Sequence, residues 1–163
     1  VIGISCSGAS TYVISSINYS KSKGASTVYL VTNPNPYIST EVDVIIKANT
    51  GPEVITGSTR MKAGSATKMI LNMISTTTMI KLGKVYKNLM IDLMAVNNKL
   101  IDRGIRIIMK ITGLSYEKAK KKLFEAKKSV KAAIIMIKLD CDLEKANKKI
   151  KKFNGVLSNI IND

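Results

Sequence analysis

Thr27-Val28-Tyr29-Leu30-Val31-Thr32, followed at once by Asn33-Pro34-Asn35-Pro36, is the stretch that decides the fold. Its first six residues are rich in β-branched and aromatic side chains and read as a strand. The next four, alternating Asn and Pro, read as a loop. Upstream, residues 1–6 form a short apolar strand and Ser7-Gly8-Ala9-Ser10-Thr11 a turn of small residues. Residues 12–23 carry Val13, Ile14 and Ile17 at helical spacing, and Gly24 is placed to end that helix. Downstream, residues 42–46 make a third strand. Strands joined through a helix of this length predict a parallel α/β sheet.

The second informative stretch is Gly51-Pro52-Glu53-Val54-Ile55-Thr56-Gly57-Ser58-Thr59-Arg60-Met61-Lys62-Ala63-Gly64. It is a turn that opens a helix over residues 60–82. Backbone N–H groups at a helix start suit an anion. A structural turn needs the glycines and a cap, but not Glu53, Arg60 and Lys62 as well. Glu53 reads two ways, as a ligand contact or as the partner of Arg60 or Lys62. Ser58 reads as a ligand contact, a cap, or both. Lys62 is unfavourable for the dipole of its own helix, which points to an external anion or a Glu partner. The helix is apolar nearly all round, so it is expected to be buried against the sheet or a partner subunit.

Beyond it, residues 86–94 read as an apolar connector and residues 96–111 as an amphipathic helix ending at Thr112-Gly113. Three shorter helices come next, over 116–126, 130–139 and 142–153, then a short tail helix after Asn154-Gly155. Ser115 is a good N-cap for the first of them. The run Lys120-Lys121-Lys122 reads as a solvated face.

Composition bounds the chemistry. The chain has 163 residues, 45% hydrophobic and 5% aromatic, with no Trp, so Ile, Leu, Val and Met must fill the core. It has no His, which excludes a Ser-His-Asp triad and removes the commonest metal ligand. Cys6 and Cys141 are far apart, lack metal spacing and read as reduced thiols. No Walker A loop is present, and no G-x-G-x-x-G follows a strand. The net charge of +15 comes almost wholly from Lys. Lys, Ile and Asn are all abundant, a bias an AT-rich genome produces. Phosphate and base readers enrich Arg and interleave aromatics instead, so no nucleic-acid partner is expected. No apolar run suits a membrane span and no signal peptide is evident. Val1 opens a strand already under way, which suggests a fragment.

In open α/β sheets ligands sit at the carboxyl ends of strands. Ser5, Cys6, Ser7 and Ser10 lie at the end of the first strand, where hydroxyls and free N–H groups can hold a phosphate or sugar hydroxyl. The same turn also reads as mere capping. Cys6 has no His to activate it.

Residues 51–68, continued by Leu71-Asn72-Met73 and by Gly83-Lys84-Val85-Tyr86-Lys87-Asn88-Leu89-Met90-Ile91-Asp92, closely resemble the N-acetylmuramic acid 6-phosphate etherases. The glucokinase regulatory protein shares the signature. Gly3-Ile4-Ser5-Cys6-Ser7-Gly8 with Tyr12-Val13 resembles the second half of the family's sugar isomerase (SIS) domain. Residues 112–136 resemble its small UBA-like tail. The resemblance implies an α/β fold: the second half of a SIS-type parallel sheet flanked by helices over 1–111, then an all-helical UBA-like module over 112–163.

The resemblance also implies an activity. Such enzymes cleave the ether between D-lactate and the sugar of N-acetylmuramate 6-phosphate, without cofactor or metal. One Glu removes the C2 proton of the open-chain aldehyde, lactate leaves with acid assistance, and water adds back. The family's catalytic glutamates and principal phosphate-binding turn lie upstream of anything matched here, so no catalytic residue is assigned and the fragment is expected to be inactive alone. Ser5, Cys6, Ser7, Ser10, Glu53, Ser58 and Lys62 are the expected substrate-binding residues. The family turn reads close to Ser-Gly-Arg-Thr-Pro, whereas this chain has Ser7-Gly8-Ala9-Ser10-Thr11, which lacks the Arg and Pro. The resemblance further implies a cytoplasmic homodimer acting on a sugar 6-phosphate. The alternative is a sugar-phosphate-binding regulator similar to the glucokinase regulatory protein; a basic nucleic-acid-binding module is the third reading.

Overall fold

The computed structural model describes residues 1–162. They group into two compact units, Val1–Ile74 and Ser75–Asp163.

In the first unit, β1 (Ile2–Ile4), β2 (Val28–Val31) and β3 (Val44–Lys47) form a parallel sheet in the order β1-β2-β3. Ile2 pairs with Val28, and Val28 with Val44. The expected α/β arrangement is present. Helix α1 (Thr11–Ser22) joins β1 to β2 and packs on β1 at Gly3. A Cβ on Gly3 would lie 2.4 Å from Ile17 Cδ1 and 2.8 Å from Val13 Cγ1, so only glycine allows this approach. Ile17, Tyr29 and Val31 are buried there, with Val13, Ile14 and Val42 packed around them. Asp43 Oδ2 accepts the Thr27 N–H at 2.6 Å and the Thr27 hydroxyl at 3.0 Å, fastening the start of β3 to the start of β2. These bonds hold the Asp43 carboxyl below its ordinary pKa.

Helix α2 (Lys62–Lys81) forms where the sequence predicts, but this chain's own sheet does not bury it, which is one of the two expected alternatives. Ala63 is its one buried residue among those described, while Met69, Met73, Met79 and Ile80 are exposed. A helix that is apolar on every side specifies no single inward face: Ile70, Leu71 and Ile74 are half-buried, while the methionines stay open.

The second unit holds a small hairpin, β4 (Val85–Tyr86) and β5 (Leu89–Met90), within the stretch expected to be a plain connector. Five helices come after it: α3 (Asn98–Thr112), α4 (Tyr116–Glu125), α5 (Val130–Lys138), α6 (Leu143–Lys152) and α7 (Leu157–Ile161). Asn97, Ser129 and Asp142 cap α3, α5 and α6 by accepting backbone N–H groups three residues on. Ser115 sits at the start of α4 as expected, yet its side chain makes no cap bond. Gly113, with φ of 76°, ends α3 in the left-handed region.

The core of this unit is built on α5, every residue of which from Val130 to Met136 is buried. Around it pack Ile105 and Ile108 of α3, Leu123 of α4, Ala146 of α6 and Leu157 of α7. The contacts divide the chain at 74/75, where the sequence suggests a boundary at 111/112 instead. The reason is α3: its buried face lies against α4 and α5, so this helix belongs to the helical unit.

Candidate functional site

A cleft of about 490 Å³ opens across the carboxyl ends of the three parallel strands. Each strand delivers part of its wall. After β1 come Cys6 and Ser7, after β2 come Thr32 and Asn33, and after β3 come Asn49, Thr50 and Gly51. Glu53, Thr56, Thr59 and Ala63 close the side toward the start of α2. Cys6, Ser7 and Glu53 are thus brought together as expected.

The β1–α1 turn is rigidly organised. The Cys6 carbonyl accepts the backbone N–H of Thr32 and its hydroxyl, both at 3.2 Å, which continues the β1–β2 pairing into the turn. The Ser7 carbonyl accepts Asn33 Nδ2 at 3.3 Å, and Ser7 Oγ accepts the Ala9 N–H at 3.2 Å. Ser5 is buried, and its Oγ accepts the Gly8 N–H at 3.2 Å. Ser5 therefore shapes the turn from beneath and does not line the cleft. Ser10 likewise caps α1, accepting the Val13 N–H at 3.5 Å.

Glu53 behaves in a way neither reading anticipates. Its two carboxylate oxygens accept the backbone N–H groups of Lys62 and Ala63, each at 3.0 Å. The anion at the N-terminus of α2 is thus a side chain of the same chain. These two bonds, with Ala63 the stronger influence, hold the Glu53 carboxyl below its ordinary pKa. The expected pairing with Lys62 is made to its backbone. The Lys62 ammonium instead donates to the Pro52 carbonyl at 2.8 Å, closing the turn on itself. Ser58 lies apart from the cleft, with Arg60 and Met61 around a minor cavity of about 50 Å³ that Glu53 also touches.

A carboxylate whose pKa is lowered is a poor general acid, and one with both oxygens engaged is a poor base. Glu53 is suited to fixing the loop. A Glu53→Gln substitution is expected to speed amide hydrogen exchange at Lys62 and Ala63, because the amide offers one acceptor where the carboxylate offers two. The lowered pKa also sets the pH dependence. The cap is complete above the ordinary glutamate range and is lost as pH falls through the lowered value. Lys62 and Ala63 amide shifts should therefore move only below the ordinary glutamate pKa; a step at or above it would refute the cap.

The threonines and asparagines of the wall carry no motif of their own in the sequence. The rule that ligands sit at strand carboxyl ends reaches Thr32, Asn33, Asn49 and Thr50 once applied to all three strands rather than the first. The wall carries hydroxyl and amide side chains, one thiol and one carboxylate, and no lysine or arginine. It can hydrogen-bond a polyhydroxylated ligand but supplies no side-chain cation. Among the described residues no group of His, Cys, Asp and Glu is arranged to hold a metal ion, and no helix is long and apolar enough to cross a membrane.

A parallel α/β sheet with a hydroxyl-lined cleft at its carboxyl edge places the first unit in the α/β class, whose ligands sit at that edge. Comparison with known proteins narrows this. Residues 87–131 match the C-terminal lid domain of glucokinase regulatory protein. The chain is 49% identical over 155 residues to the N-acetylmuramic acid 6-phosphate etherase of Bacillus cereus (strain AH187), covering 95% of this chain and 53% of that protein. It is 50% identical over 157 residues to the etherase of the same name from Oceanobacillus iheyensis, covering 96% of this chain and 53% of that protein. The chain spans about half the length of the curated relatives it matches. Over that half it is a homologue of the N-acetylmuramic acid 6-phosphate etherases, and the resemblance to those etherases read in the sequence is borne out.

Proposed function

We propose that this chain is the carboxyl-terminal part of an etherase that releases D-lactate from N-acetylmuramate 6-phosphate in cell-wall amino-sugar recycling. The observation that carries the reading is identity near one half over 95% of the chain, which takes in the whole Gly51–Gly64 turn. The cleft supports it. Its neutral hydrogen-bonding wall suits the hydroxyl and acetamido groups of a sugar, with Ser7, Asn33, Thr50 and Thr59 as contacts. Cys6 adds a thiol to that wall. Ser5, Ser10, Lys62 and Glu53 act by holding the two turns in place, and Ser58 joins its turn only through its backbone N–H, which donates to the Ile55 carbonyl. The phosphate contact and the carboxylates for C2 proton removal and lactate departure are assigned to the length of the relatives this chain does not span. That assignment accords with Glu53 being engaged as a cap.

The same reading makes the first unit half of a SIS-type sheet and the last helices a UBA-like module, in a cytoplasmic homodimer. The test is lactate release from N-acetylmuramate 6-phosphate by the full-length protein carrying this chain. Release that is lost when the sugar lacks its lactyl ether supports the etherase. The match to a regulatory protein's lid domain favours a second reading, a sugar-phosphate-binding regulator. Saturable sugar-phosphate binding without any lactate would select it.

A further inference from the structure

A second, smaller cleft of about 220 Å³ lies in the Ser75–Asp163 unit and shares no lining residue with the site above. Three elements meet there: the Lys87-Asn88 turn between β4 and β5, the last turn of α3, and the last turn of α5. Each contributes a lysine, namely Lys87, Lys110 and Lys138. No acidic side chain lines the cleft, and among the described residues none of the three lysines has an ion-pair partner.

The surroundings deepen the imbalance. Residues 75–163 carry 20 of the chain's 26 Lys and Arg but only eight of its 11 Asp and Glu. Like charges brought together at one cleft repel unless a counter-ion joins them. Lys110 and Lys138 each complement the dipole of their own helix, which accounts for each alone. It does not account for their opening on one cleft, nor for Lys87. Lys87 holds φ at 53°, in a tight-turn position that favours glycine. A lysine in that conformation is strained, as at Lys127 and Lys128, and strained residues are enriched at ligand sites. Its ammonium rests 5.8 Å from the centre of the Tyr86 ring, on the cleft wall. Asn88 adds a neutral hydrogen-bonding group beside it.

We propose that Lys87, Lys110 and Lys138 form a binding site for a small phosphate-bearing anion, with Asn88 as a neutral contact. This site is independent of the etherase reading and stands or falls apart from it.

Inorganic pyrophosphate is the probe, titrated into the 163-residue chain at low ionic strength and followed by calorimetry. Saturable binding is expected, weakening as salt is raised. Lys87→Gln and Lys138→Gln should each weaken it about tenfold, the loss of one charge-assisted contact. Lys121→Gln, at an exposed position of α4 that does not line the cleft, removes the same unit of charge and should weaken binding less than about twofold, since it breaks no direct contact and an exposed charge is screened. All three side chains are exposed, so folding is preserved, and circular dichroism verifies it. Equal losses in all three variants would mean attraction to net charge alone and overturn the proposal, as would the absence of saturable binding in the parent chain.

Discussion

Replacing Gly8 by alanine is expected to destabilise the Val1–Ile74 unit by about 3 kcal/mol and to close the cleft at its β1–α1 wall. Two costs combine. Gly8 holds φ at 77°, which an L side chain adopts only with strain. A Cβ there would also lie 2.4 Å from Pro36 Cβ and 2.8 Å from Pro36 Cα, with the Tyr29 hydroxyl at 3.1 Å on the inner side. Proline cannot swing away as a flexible chain end would, so the turn or the 33–36 loop must move. That loop is tied to the turn, because the Gly8 carbonyl accepts the Ile38 N–H at 3.0 Å and the Ser7 carbonyl accepts Asn33. Displacing it carries Thr32 and Asn33 out of the cleft wall. The measurement is hydrogen exchange of the β2 amides Tyr29 to Val31, which should quicken strongly in Gly8→Ala and little in Ser7→Ala. Equal protection in parent and Gly8→Ala would show that the close approach does not constrain the fold.

The second large effect belongs to Lys131. This lysine is only 6% exposed on α5, in the middle of the second core. Its ammonium donates to the Gly83 carbonyl at 2.9 Å and lies 3.2 Å from Asp92 Oδ1, while Asp92 Oδ2 pairs with Lys84. Three separated pieces of chain are thereby fastened: the end of α2, the segment after β5 and α5. Lys131→Ala is expected to cost about 3 kcal/mol, because it strands the buried Gly83 carbonyl, leaves a void where the buried stem packs, and takes one of two cations from the partly exposed Asp92. Lys131→Met should cost less, since it keeps the buried stem; both variants leave Asp92 its bond to Lys84. Urea unfolding followed by circular dichroism checks the order; a methionine variant as weak as the alanine one would place the whole effect in the charge. Acid offers a second check. Burial opposes ionisation of Asp92, but its bonds to Lys84 and Lys131 outweigh that and hold its pKa below the ordinary aspartate value. Its contribution is therefore present above the ordinary aspartate range and lost as pH falls through the lowered value.

The elements legible in the sequence share one property: their pattern is local. β2 shows in its β-branched run, α1 in Val13, Ile14 and Ile17, and α6 in its acidic start and basic end. The β4–β5 hairpin is hidden because strands of two residues leave no alternation, and Lys87-Asn88 is not one of the Asn-Gly or Asp-Gly pairs that announce such a turn. The exposure of α2 is hidden too, because a helix apolar on all sides carries no record of which side is covered. At the site, Cys6, Ser7 and Glu53 can be found from their place after a strand or in a glycine-bounded turn. The role of Glu53 cannot, because its partners lie nine and ten residues on and are backbone groups, which leave no mark on residue identity.

The exposed face of α2 has a chemical consequence beyond packing. Met69 and Met73 stand one helical turn apart at 63% and 57% exposure, and Met61 near the helix start is 59% exposed. An accessible thioether is oxidised to the sulfoxide far more readily than a buried one, and the product is polar and chiral. Mild peroxide would therefore rewrite this face from apolar to polar while the core of the second unit, whose Met136 is 8% exposed, keeps its thioether. Any surface that depends on the apolar face of α2 is in that sense sensitive to oxidants, and a reductase acting on methionine sulfoxide would restore it.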